Sequence, residues 1–319
     1  MCIRDSISTS VEYLFDILHL QHNFIEVSHS DNHFLEQKIK ELNSNLLEKD
    51  RIIENFKKEM LVANQRLESL ISQISRHYKL LQKLQYKLIP TELPSITGFS
   101  FSHQFVPSYI NGGDYFDIYN KPKSLKFGIF ISSCSGHSAS ALLLSVLLKN
   151  SEMLDNTKSA SSKKILAQIL NELKPQLANS DRISLLYATI DRRTLKAKFC
   201  RLGHCLGYIL RGSEIIPLES NVSEFHQEFD EEVDEKAVSL EPKDGLVFIS
   251  AGLVKVKNLE GEEFGVERLN QAIMRSDKGV HEIKNALFMA VKKHSQGTEL
   301  QQDMTIVVSF VKDNVLKLA

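Results

Sequence analysis

The first 89 residues contain neither proline nor glycine; all 7 prolines and all 14 glycines follow, beginning with Pro90 and Gly98. A stretch of that length without either helix breaker predicts helix throughout. Its apolar residues also recur in alternating steps of three and four. The series runs Leu35, Ile39, Leu42, Leu46, Lys49, Ile53, Phe56, Met60, Ala63, Leu67, Leu70, Ile74, His77, Leu81, Leu84, Leu88. Only Lys49 and His77 interrupt it. Seven heptads of this kind predict a left-handed coiled coil over residues 31–89, roughly 80 Å long. The expected assembly is a parallel homodimer joined through residues 33–88. Residues 1–30 read as partly helical around Val11–Phe24, with no structure assigned to residues 1–10.

From Pro90 the pattern changes. Runs rich in aromatic and β-branched residues predict strands at Phe99–Val106, Leu125–Ser132, Ser184–Asp191, Lys196–Leu202, Gly207–Arg211, Leu246–Ser250 and Met304–Lys312. Helical periodicity predicts helices at Ser138–Leu154, Lys163–Ala178, Gly265–Arg275 and Glu282–His294. Clustered strands with few helical crossovers make this an α+β domain in packed layers, spanning residues 90–313, with a tail at 314–319. The acidic run from Glu228 to Glu235 reads as a solvated loop, or as a docking surface for a basic partner.

The balance of 39 basic against 40 acidic residues excludes a chain built to coat nucleic acid or an anionic membrane. No stretch reaches the length of a membrane span, and no basic-then-apolar leader is seen. Cys2, Cys134, Cys200 and Cys205 have neither CxxC nor zinc spacing. A cytoplasmic location is therefore expected.

Candidate chemistry gathers in short motifs. Asn111-Gly112-Gly113-Asp114-Tyr115-Phe116-Asp117 places a carboxylate after two glycines that let backbone approach a ligand. Ser132-Ser133-Cys134-Ser135-Gly136-His137-Ser138 runs from a predicted strand into a predicted helix, where bare N–H groups can hold an anion and lower the pKa of Cys134. A cysteine-phosphatase loop is excluded, because Ser140 stands where its arginine is needed. His137 and His204 each follow a glycine and read as structural.

Taken in order, the motifs resemble the metal-dependent serine/threonine phosphatases of the phosphatase 2C type, in the bacterial branch of the SpoIIE domain and the sigma-factor-regulating phosphatases. The resemblance covers roughly residues 82–312. It rests on Leu-Gln-Tyr-Lys-Leu-Ile-Pro (84–90), Gly-Gly-Asp-Tyr-Phe-Asp (112–117), Ser-Gly-His (135–137), Leu-Gly-His (202–204), Pro-Lys-Asp-Gly-Leu-Val-Phe (242–248), Phe-Gly-Val-Glu-Arg-Leu (264–269) and Asp-Met-Thr (303–305). It implies a four-layer αββα sandwich holding two Mg²⁺ or Mn²⁺ ions at one sheet edge.

The departures fall on the metal ligands. Asp114, with the Gly113 backbone, matches the first. Ser133 stands at the bridging aspartate, Ala251 at the aspartate of Thr-Asp-Gly, and Gln302 at the last ligand, with Asp303 beside it. Two dications about 4 Å apart repel by roughly 17 kcal/mol at an effective dielectric of ~20, and shared carboxylates must offset that. Asp114, helped by Asp117, can hold at most one weakly bound ion. The expectation is a pseudophosphatase: a dimeric, partner-binding signalling module with no cofactor. The alternative is an active Mn- or Mg-dependent protein phosphatase in which Asp117, Asp303 or Asp244 replaces the missing ligands. A third reading makes the chain a structural coiled coil with a passenger domain.

Overall fold

The computed structural model describes residues 2–108, 113–120, 124–135, 161–220 and 222–313. The chain divides into two units, residues 1–75 and 76–319. Helix α1 runs Cys2–Leu88. The sequence expectation is corrected at its start: helix begins at Cys2 and continues through the region left without structure. Along it Ile39, Leu42, Leu46, Ile53, Phe56, Met60, Leu67, Leu70, Ile74 and Leu84 each expose 45–68% of their surface in the single chain. The side chain of Leu81 lies outside the described ones.

The second unit, beyond the end of α1, is built on two five-stranded antiparallel sheets. Its strands are β1 (Phe99–Val106), β2 (Asp114–Tyr119), β3 (Lys126–Ser135), β4 (Arg182–Asp191), β5 (Lys196–Leu202), β6 (Leu206–Arg211), β7 (Glu214–Pro217), β8 (Lys236–Ser239), β9 (Gly245–Ile249) and β10 (Met304–Val311). The first sheet has the order β1-β10-β9-β6-β7 and the second β2-β3-β4-β5-β8. The helices are α2 (Ser162–Leu173), the short α3 (Ala251–Val254), α4 (Gly265–Met274) and α5 (Val280–Ser295).

Period-2 alternation sorts the side chains into three layers of core. Phe127, Ile129 and Ile131 of β3 meet Phe248 and Val307 of the first sheet between the sheets. Phe130 and Cys134 point the other way and pack with Ile165, Leu166 and Ile169 of α2. On the outer face of the first sheet, Val247, Ile306 and Val308 pack with Leu269 of α4 and Leu287 of α5. Burial of the central strands on both faces explains why they carry apolar residues at successive positions, as in Ile129-Phe130-Ile131 and Leu185-Leu186-Tyr187. The architecture is the expected αββα sandwich.

Several boundaries differ from expectation. Strands β2, β7 and β8 were not predicted. β3 continues to Ser135, so Ser133 and Cys134 lie within a strand rather than in a turn. α2 gives way to a 3₁₀ turn at Lys174–Gln176, where Pro175 cannot continue the helical ladder. The predicted helix Ser138–Leu154, His137 and the tail 314–319 lie outside the described residues. The acidic run is not simply solvated. Phe229 and Val233 within it are buried, Glu231 accepts from Ser223, and Glu232 and Glu235 pair with Lys163 and Lys198.

Candidate functional site

The candidate site forms where β2 and β10 begin and β9 ends. Alternation turns Asp114, Phe116 and Ile118 toward the space between the sheets, and Thr305 and Val307 toward them from β10. Asp114 lies opposite Ser133 across the β2–β3 ladder. Its carboxylate accepts the Thr305 hydroxyl at 2.7 Å, joining the two sheets. Ser250, at the end of β9, is locked to β10: its amide donates to the Thr305 carbonyl and its hydroxyl accepts the Thr305 amide.

Asp303, one residue ahead of β10, is the second carboxylate. Its Oδ1 accepts the Ser108 amide at 2.7 Å. Its Oδ2 accepts the amides of Gly113 at 2.7 Å and Asp114 at 3.1 Å, and the side-chain amide of Gln85. Gln85 also donates to the Asp114 carbonyl at 3.3 Å. Asp114 and Asp303 are each 1% exposed. Four N–H donors on one buried carboxylate make Asp303 a tie between the segment after β1, the start of β2 and the last turn of α1.

Burial, and then the charge of Asp303, push the Asp114 carboxyl up to about 8, against hydrogen bonds from Ser250, Thr305 and Ser133. Burial also raises Asp303, against the donors it accepts from. Two carboxylates this close do not both ionise readily. The N–H donors favour the charged form of Asp303, so the proton of the pair belongs on Asp114.

The other predicted residues are dispersed. Asp117 projects from the opposite face of β2, where it accepts the Tyr115 hydroxyl at 2.9 Å and the Ile118 amide at 2.7 Å. It is therefore not a partner of Asp114. Asp244 sits at the far end of β9, paired with Arg211 at 2.8 Å. Ala251 opens α3 and is buried. Gly252 follows because space requires it: a Cβ there would come within 2.0 Å of the Asp303 carbonyl. Gln302 lines a cavity of about 260 Å³ together with Lys255, Lys257 and Glu263, where two ammonium groups outnumber the one carboxylate. Among the described residues, no group of three or more His, Cys, Asp and Glu side chains is placed to hold a metal ion.

Cys134 reverses its expectation. Burial pushes its thiol well up, helped by the charges of Asp114, Asp181 and Asp303. Gly203 of the Leu-Gly-His motif has φ +66°, and a Cβ would fall 2.6 Å from the Ser184 hydroxyl, so this glycine serves the turn after β5. The His204 amide donates to that hydroxyl at 3.1 Å, while its ring is mostly exposed and 3.8 Å from Glu224. The structural role belongs to the backbone of His204. Gln85, Ser108 and Ser250 were not singled out from sequence. Gln85 lies in the lead-in to Pro90, and nothing in its spacing says that it meets a residue 218 positions away.

Two facing antiparallel sheets with helices outside and a buried aspartate pair at one edge define the phosphatase 2C fold. The sequence profile of Stage II sporulation protein E (SpoIIE) matches residues 123–312, and the chain belongs to that family. Solved structures agree in fold. The phosphatase domain with part of the regulatory domain of SpoIIE from Bacillus subtilis is 18% identical with a TM-score of 0.57, over 69% of this chain and 64% of that one. The chain thus spans less than two thirds of that relative. The PP2C domain of SiaA from Pseudomonas aeruginosa is 17% identical with a TM-score of 0.63, over 76% of this chain and 98% of that one. RsbX, solved in complex with magnesium, is 13% identical with a TM-score of 0.54, over 69% and 99%. No curated protein matches the sequence. Among the described residues, no helix is long and apolar enough to cross a membrane.

Proposed function

We propose that this chain is a non-hydrolysing member of its family: a dimeric module that binds a protein partner in a signalling pathway. One observation carries the reading. Among the described residues, the carboxylates at the sheet edge are Asp114 and Asp303, engaged by the Thr305 hydroxyl, three main-chain amides and Gln85, while Ser133, Ala251 and Gln302 hold the remaining positions. This donor set does not fit a pair of dications. At most two negative charges would face four positive ones, and hard cations require charged oxygens that hydroxyl, methyl and amide groups do not supply. No reaction step is therefore assigned through a metal. The unpaired thiols of Cys134, Cys200 and Cys205 support a cytoplasmic setting.

The test is hydrolysis of an aryl phosphate and a phosphoserine peptide with millimolar Mn²⁺. The expected result is no turnover above an Asp114→Ala control. The competing reading is an active phosphatase, and what favours it is Asp303 lying beside Asp114. Turnover abolished by Asp114→Ala would establish that reading and end ours.

The exposed seam of α1 supports dimerisation. Ten large apolar residues left in water along one helix are an incomplete core. Sedimentation of the full chain is expected to give twice the single-chain mass at micromolar concentration. The Ile53→Asp/Leu67→Asp variant is expected to sediment as a monomer. A monomeric wild type would remove the dimer from the proposal.

A further inference from the structure

Away from the carboxylate pair, α4 and α5 lie side by side on the outer face of the first sheet and leave a groove between them. Leu269, Ile273, Ile283, Leu287 and Val291 turn inward and fill the core. The opposite shoulders of the same helices enclose a cavity of about 460 Å³. Its floor is Ala272, Ala286 and Ala290, all half-buried, and its rim is Arg268, Arg275 and Lys293, all exposed. No carboxylate lines it. Arg268 is partly held by Glu262 at 3.4 Å and by the carbonyls of Glu263 and Phe264. Among the described residues, Arg275 and Lys293 make no ion pair.

Two features select the occupant. Small apolar residues below leave room for one large apolar side chain, and the two cations above that lack an ion pair, Arg275 and Lys293, favour carboxylates beside it. The chain's own acidic run is already used: Phe229 and Val233 are buried, and Glu231, Glu232 and Glu235 are bonded within the chain. A second copy would bring the same spent run. We infer that the α4–α5 groove docks an acidic segment of a partner protein, seating an apolar side chain between Ala286 and Ala290 with carboxylates against Arg275 and Lys293. Nucleic acid is the poorer candidate. Three cations around an apolar floor do not form a track along a backbone, and the whole chain carries a net charge of −1.

The experiment uses the full chain and labelled twelve-residue peptides with a central leucine. The leucine is flanked by glutamates in one peptide and by lysines in a second, and serine replaces it in a third glutamate peptide. The expected result is salt-sensitive binding of the glutamate–leucine peptide only. The Arg275→Glu/Lys293→Glu variant is expected to weaken it at least ~10-fold and to gain the lysine–leucine peptide. Ala290→Leu is expected to weaken binding by filling the floor while leaving the salt dependence unchanged. Unfolding curves confirm that each variant is folded. The inference is overturned if the glutamate–leucine peptide does not bind, or if the double charge reversal leaves its affinity unchanged. It is also overturned if the serine peptide binds equally, or if a twelve-residue oligothymidine binds more tightly through the same two cations.

Discussion

Millimolar Mn²⁺ is expected to raise the thermal midpoint of the Ser133→Asp/Ala251→Asp/Gln302→Asp variant by ~10 °C or more, and that of the wild type by no more than ~1 °C. The variant puts carboxylates at the three positions that the resemblance assigns to the family's ligands. Without metal it should be the less stable protein. Ser133 and Ala251 are 9% and 3% exposed, and a carboxylate added at either would be buried with no cation to balance it, a penalty of several kcal/mol. Metal binding to the folded state alone reverses that penalty by mass action. In a domain of this size ~1 kcal/mol moves the midpoint by about 2–4 °C, so the recovery is large and easily measured by calorimetry with Mn²⁺ against chelator. Phosphoserine hydrolysis should follow recovery if the edge is otherwise intact. A wild-type midpoint that itself climbs by several degrees with Mn²⁺ would show that the native donors suffice, and the charge-deficiency account would be wrong. A triple variant that ignores Mn²⁺ would mean that these three positions no longer converge on one point.

The layers of the fold were legible because burial on two faces leaves a strong mark. β9 and β10 are apolar at most positions, the middles of β3 and β4 are apolar too, and both the strands and the α2, α4 and α5 stripes emerge from periodicity alone. β2 was missed for a physical reason. Asp-Tyr-Phe-Asp-Ile-Tyr begins with a buried carboxylate and includes a second, and aspartate ordinarily argues against a strand. Tertiary hydrogen bonds from Thr305 and Ser250 reverse that preference here. β7 and β8 are four-residue edge strands with little burial, so they lack a signal of their own. At the site, the motifs singled out Asp114, Ser133, Ala251 and Gln302 but not the state of Asp303, which register sets beside Gln302. The role of Asp303 depends on Ser108, Gly113 and Gln85, which lie far from it in the chain. Cys134 was misjudged because β3 runs on through it to Ser135, and burial governs the thiol.

In chelator, stability is expected to fall as pH rises from about 4 to about 8, and Asp114→Asn should remove most of that dependence. The sign follows from linkage. In the unfolded chain Asp114 titrates near 3.9, whereas in the fold burial and Asp303 hold it up to about 8. Below pH ~4 both states carry the proton and the group has no effect. Between the two values the unfolded state has lost the proton and the folded state keeps it, so each pH unit destabilises the fold by up to ~1.4 kcal/mol; above about 8 the loss levels off. Asparagine keeps the size of the protonated acid and can still accept the Thr305 hydroxyl, so the comparison isolates the charge. Urea unfolding at pH 5 and pH 8 should therefore show the variant gaining on wild type by up to ~4 kcal/mol across that interval. Asp303→Asn is the contrasting case. It replaces an acceptor of four N–H groups by one with a single oxygen, and should destabilise at every pH by a few kcal/mol. A difference between wild type and Asp114→Asn that is flat with pH would mean that Asp114 is ionised in the fold. A buried carboxylate keeps its charge at neutral pH only when a cation or further donors compensate it. That result would argue for a cation at this edge and against a pair of acids sharing one proton.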